Sequence, residues 1–229
     1  MPEPKSPIRR RTSSTGGAAA GSGVPVRRSQ ETRSREARER LLAATIDVLM
    51  RRGYGGLTTK EVATQSGLSN GALMHHFATK AELVVAATEW IYDVATERGQ
   101  RVAESPEARA NPIEGFIADC VSVYLDWPFT VALEVLMVAR TDPELMERIM
   151  PVMMRYRQTT NARWLQVLQA SGLAAKDAER VLNLTLNQVR GMAVHQLWQT
   201  DETYARVNLD DWRRLISEHV ARKIRESAR

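Results

Sequence analysis

An all-α fold is what this 229-residue chain predicts, and three observations carry that expectation. Apolar residues recur at helical spacing through nearly every segment, strand-like alternation is almost absent, and hydroxyl caps and prolines stand where helices would begin. Residues 1–30 are the exception. They are rich in Pro, Ser, Gly, Ala and Arg, with PIRRR and VPVRR flanking TSSTGGAAAGSG. Such a segment buries too little apolar surface to offset its ordering entropy, so it reads as a disordered basic tail.

The elements follow in order. In REARERLLAATIDVLMRRGY, Leu42, Ile46 and Leu49 form a stripe that Leu41, Ala44 and Val48 widen, and Gly53 ends it. Thr58, followed three residues later by Glu61, has the form of a capping box. It opens a short helix with Val62, Ala63 and Ser66 on its apolar face and Gly67 at its end. Ser69 is the expected N-cap of a second short helix over 70–77, with Leu73 and Phe77 inward. Thr79 and Glu82 repeat the capping pattern and open a long helix reaching about Arg101. Further helices are expected over 112–125, 128–140, 143–170, 176–199 and 210–227. Proline at or near the starts of the first three fits its preference for the first turn, whereas Pro151 is expected to kink or break the third.

The net charge of +5 is unevenly placed. Residues 1–88 hold fourteen Lys/Arg against seven Asp/Glu, while residues 89–229 hold eighteen against twenty. That asymmetry points to a polyanionic partner for the first part alone. A single cysteine, Cys120, excludes an internal disulfide framework and a multi-thiolate zinc site. The apolar run over 131–139 is interrupted by Glu134 and too short to span a bilayer, and no secretory h-region opens the chain. A cytoplasmic protein without a membrane partner is expected. No glycine-rich phosphate loop, HExxH or GxSxG elbow is present, the string GLSNG over 67–71 lying between two short helices and not after a strand, so neither an enzyme nor a cofactor is expected.

The stretch SNGALMHHFATK could place His75 and His76 in a metal site, a catalytic pair or a DNA contact. Adjacent helical residues point about 100° apart, and no spaced Cys or His completes a ligand set, so no metal is expected. Two short helices joined by GLS form a helix-turn-helix, which buries one face of its second helix and offers the other to the major groove. Leu73 and Phe77 occupy the buried face; Asn70, Gly71, Met74 and His75 the free one. Lys80, in the first turn of the next helix, is placed for a phosphate.

The span RLLAATIDVLMRRGYGGLTTKEVATQSGLSNGALMHHFATKAELVVAA resembles the DNA-binding domain of TetR-family transcriptional regulators. Gly53, Tyr54, Thr58, Thr59, Val62, Ala63, Gly67, Leu68, Ser69, Gly71, Leu73, His76, Phe77, Lys80 and Leu83 all stand in register with that family's pattern. Met74 departs from it, standing where the family has a tyrosine that reaches a phosphate. The resemblance implies a DNA-binding domain over residues 31–87, with His76 at the DNA backbone and His75 at a variable, groove-facing position. The candidate DNA contacts are Thr59, Lys60, Ser69, Asn70, Gly71, Met74, His75, His76 and Lys80.

Residues 88–229 are then implied to form a helical ligand-binding and dimerisation domain. Stripes of Leu182, Leu186, Val189, Ala193 and Leu197, and of Trp212, Leu215, Ile216, His219, Val220 and Ile224, suit a four-helix interface with a twofold mate or, alternatively, closure of the monomer core. The segment WPFTVALEVLMVAR is apolar nearly all round yet carries Glu134, which must face a cavity or find a partner such as Arg140, Arg163 or Arg190. Tyr124, Trp127, Glu134, Met137, Met153, Tyr156, Trp164 and Met192 are the candidate ligand lining, with plain core as the competing reading. The expected function is that of a repressor released from a near-palindromic operator by a small molecule and acting as a homodimer. An activator or a ligand-independent regulator is the alternative.

Overall fold

Every described element is helical, as expected. The computed structural model describes residues 30–125, 129–199 and 201–227, which fall into two compact units dividing between Ala87 and Thr88. Residues 1–29 of the expected tail and Trp127 lie outside the described residues.

In the first unit, α1 (Gln30–Gly56) buries Leu41, Leu42, Ile46, Val48 and Leu49 on one side. Its helical dihedrals stop at Gly53, whose φ of 66° lies in the left-handed region that favours glycine. The helix α2 (Thr59–Ser66) starts at Thr58, whose hydroxyl accepts from the Glu61 N–H at 3.2 Å. The Glu61 carboxylate pairs with Arg52 Nε at 2.8 Å, tying α2 back to α1. Gly67, at φ 67°, closes α2, and the Leu68 N–H donates to the Ala63 carbonyl at 3.0 Å. The helix α3 (Asn70–His76) is capped by Ser69, whose hydroxyl accepts from the Ala72 N–H at 3.1 Å. The helix α4 (Lys80–Glu104) starts in this unit and continues in the second. At its start Thr79 accepts from the Glu82 N–H, while the Glu82 carboxylate accepts from the N–H of Ala78, one residue before the cap.

The second unit contains α5 (Pro106–Ala110), α6 (Pro112–Tyr124), α7 (Phe129–Ala139), α8 (Pro143–Ala170), α9 (Ala175–His195) and α10 (Glu202–Ser227). The short α5 was not expected, although Ser105 and Pro106 supply its cap and first turn. It packs so closely on α6 that a Cβ at Gly115 would meet that of Ala108 at 2.7 Å. Two expectations are corrected. Of the kink or break expected at Pro151, the break does not occur, because α8 continues through this exposed proline. The helix α10 begins at Glu202 and not at Asp210, because Asp201 accepts from the Thr203 N–H at 2.8 Å and starts it.

The stripes of α9 and α10 close this unit's own core. Leu182, Leu186, Val189, Ala193, Ile216 and Val220 are all buried with Phe116, Ile117, Trp164 and Leu168. Leu197 and Leu215 are their exposed members, and Leu184, Trp198, Tyr204 and Val207 are exposed as well. No single described helix is long and apolar enough to cross a membrane.

Candidate functional site

The helix-turn-helix is pinned at its turn. Arg40 of α1 donates to the carbonyl oxygens of Ser66 and Gly67, fixing where α2 ends and α3 starts. Leu73 and Phe77 are buried, while Ser69, Asn70, Gly71, Met74 and His75 are exposed. Lys60 is exposed on α2 and Thr59 half-buried beside it. His76 is half-buried, its ring 5.6 Å from that of His75. Burial, then His75 and Arg38, lower its pKa and favour the neutral ring. Arg38, which sequence reasoning passed over, stacks its guanidinium 5.5 Å from the Phe77 ring centroid.

Lys80 is engaged within the protein. Its ammonium donates to the Tyr54 carbonyl at 2.6 Å and sits 4.2 Å from the Tyr54 ring centroid, locking α4 onto the corner after Gly53. Burial lowers its pKa, and two of its three N–H donors remain for other acceptors. Lys80→Met, which keeps the aliphatic stem, is expected to destabilise the fold by about 1 kcal/mol through loss of this bond. A urea-unfolding midpoint that does not move would reduce Lys80 to a surface charge.

The second unit holds a cavity of about 660 Å³ among α4, α6, α7, α8 and α9. Five helices make its walls. Ile91, Tyr92 and Ala95 come from α4, and Val123 and Tyr124 from α6. Phe129, Ala132, Leu133 and Leu136 share one face of α7. On α8, Met150, Met153, Met154 and Arg157 recur at i, i+3, i+4 and i+7, with Tyr156 beside them, and α9 adds Arg190, Gly191 and Val194.

Of the expected lining, Tyr124, Met153 and Tyr156 are in these walls, and four residues are placed elsewhere. Trp164 is fully buried in the core, its Nε1 donating to Asp119 Oδ2 at 2.7 Å. Met192 is buried and borders a smaller cleft with His195 and Tyr204. Met137 is exposed, and Glu134 is half-buried away from the cavity face. Their register explains this: each successive residue turns about 100°, so positions one after Leu133 and Leu136 leave the face those two share. Sequence reasoning missed Tyr92, Phe129 and Arg157, and named Arg190 only as a partner for Glu134. Among the described residues, no group of three or more His, Cys, Asp or Glu side chains is placed to hold a metal ion.

At the polar end of the cavity Arg190 Nη2 donates to the Tyr124 hydroxyl at 2.8 Å, and the Tyr92 and Tyr156 rings stack at 4.7 Å. Burial raises the pKa of all three tyrosines, that of Tyr92 to about 12, so their hydroxyls stay protonated.

Comparison with known proteins matches both parts of this arrangement. The sequence model for bacterial regulatory proteins of the tetR family matches residues 41–87. The HTH-type transcriptional regulator CymR of Pseudomonas putida is 39% identical over 184 residues, covering 80% of this chain and 91% of that protein. The HTH-type transcriptional repressor AcnR of Corynebacterium efficiens is 30% identical over 109 residues, covering 47% of this chain and 53% of that one. Among solved structures, a transcriptional regulator from Rhodococcus sp. Rha1 superposes with a TM-score of 0.64 at 26% identity, over 80% of this chain and 96% of that one.

Proposed function

This chain belongs to the TetR family of DNA-binding transcriptional regulators, and from that membership we propose that it is a ligand-responsive repressor. It binds a near-palindromic operator as a homodimer in the cytoplasm and leaves it when a small molecule fills the cavity. One observation carries the reading: a single chain joins a helix-turn-helix with an outward-facing second helix to a unit hollowed by a large apolar cavity. Repression has the support of the AcnR relative. The homodimer has the support of Leu184, Leu197, Trp198, Val207 and Leu215, apolar side chains exposed on and between α9 and α10, which a twofold mate would cover.

On the first unit, Asn70 and His75 read bases, while Ser69, His76, Lys60 and the remaining donors of Lys80 hold the backbone. Met74, 43% exposed, offers an apolar surface suited to a thymine methyl where the family's tyrosine would bond a phosphate. Selection from a randomised duplex library, followed by affinity measurements on single-site variants, tests this. Asn70→Ala and His75→Ala are each expected to cost about 1–3 kcal/mol at one contacted base pair and little elsewhere. A uniform loss across all sequences would move both residues from base readout to the backbone. Absence of any selected sequence would overturn the regulator reading itself.

A further inference from the structure

Arg190 brings a full positive charge to a cavity whose walls are otherwise mostly apolar. Its guanidinium has five N–H donors, and Tyr124 takes one of them. Among the described residues no Asp or Glu lines the cavity. Asp119 borders only the adjoining small cleft, where it accepts from Trp164, and burial pushes its carboxyl toward the neutral form. A charge held among apolar walls calls for a counter-charge, and among the described residues none lines this cavity, Asp119 reaching only the small cleft that Arg190 also borders.

Resting on the ligand-responsive reading above, we infer that the cavity takes an amphipathic monocarboxylate: one acid group on an apolar body. The planar fork of Arg190 matches a carboxylate in bidentate fashion. The protonated hydroxyls of Tyr92, Tyr124 and Tyr156 add neutral donors around it. A phosphate monoester would bring a second charge, for which the remaining cavity arginine, Arg157, is exposed to solvent and poorly placed to compensate. A quaternary ammonium, which clustered aromatic rings would otherwise suit, meets the repulsion of Arg190. Beyond this polar end, Leu133, Leu136, Met150 and Met153 give an apolar wall whose methionines adjust to the shape of the body.

The test is calorimetric titration of the full-length protein with decanoate, 4-phenylbutyrate and 2-naphthoate, each beside its primary amide, and with decyltrimethylammonium. Fluorescence anisotropy on labelled operator DNA is read in parallel. At least one acid is expected to bind tenfold or more tightly than its amide. Arg190→Met should erase that preference, and Arg190→Lys, keeping the charge without the fork, should retain part of it. The inference is overturned if no probe binds, if the amides or the ammonium match the acids, or if the acid preference survives Arg190→Met. An amide that binds as well as its acid and releases DNA would overturn the anion assignment while sparing the ligand-responsive reading. An acid bound through Arg190 that leaves DNA affinity unchanged would do the reverse.

Discussion

Trp164→Ala is expected to lower the unfolding free energy by about 3–5 kcal/mol, because it deletes the largest fully buried side chain of the second unit. The indole packs at 5.2 Å from the Phe116 ring and stands over Gly115, whose missing side chain admits both α5 and the edge of the ring. Trp164→Phe separates packing from hydrogen bonding. It restores much of the apolar volume but removes the N–H that Asp119 Oδ2 accepts from, and Asp119 Oδ1 already has no protein partner. A buried carboxyl left with neither oxygen satisfied costs about 1–3 kcal/mol, so the phenylalanine variant should fall between wild type and alanine in urea-unfolding midpoint. The pH dependence has a definite sign. Burial raises the Asp119 pKa, and the Trp164 bond opposes that rise by favouring the carboxylate. The deficit of Trp164→Phe is therefore full while Asp119 is ionised and shrinks as the pH falls through its folded pKa toward 3.8. A phenylalanine variant as stable as wild type at every pH would mean that packing alone explains the residue.

Trp164 also shows where sequence stops informing the site. It and Tyr156 lie on α8 eight residues apart, both aromatic and both inward, and helical periodicity treats them alike. One is core and the other is cavity wall because of how α8 is rotated against α6 and α9, a tertiary fact that the α8 sequence does not encode locally. The charged residues carry the same lesson. Glu134 drew attention because its helix is apolar nearly all round, yet the cavity's charge comes from Arg190, on a helix whose amphipathic pattern made an arginine unremarkable. The helix-turn-helix, by contrast, was legible almost atom by atom. Thr58, Gly67, Ser69 and Thr79 act through bonds to residues three or four positions away, so local spacing suffices to place them. What local spacing could not show was Arg40 and Lys80, whose carbonyl acceptors lie 26 residues away in the chain.

Operator DNA is expected to weaken binding of the effector by the same factor by which the effector weakens binding of operator, about 5–150-fold. One helix gives this coupling a physical carrier. The helix α4 supplies Lys80 and Leu83 to the first unit and Ile91, Tyr92 and Ala95 to the cavity wall, so a ligand that contacts its second half touches the same helix that Tyr54 grips at its start. Both recognition helices of a dimer must lie about 34–36 Å apart to engage successive major grooves, which leaves little room for such a shift. A ligand changes that spacing only by binding the DNA-incompetent arrangement more tightly than the competent one; equal affinity for both shifts nothing, however tight it is. Titrating the preferred acid with and without a saturating operator duplex measures the factor directly. Equal affinities in the two titrations would exclude that acid as an inducer, and tighter binding in the presence of operator would make it a corepressor. If Arg190→Met removes the acid's effect on DNA while the variant still binds operator, the coupling starts at the guanidinium; if the effect persists, it starts at the apolar walls that α4 shares with α7 and α8.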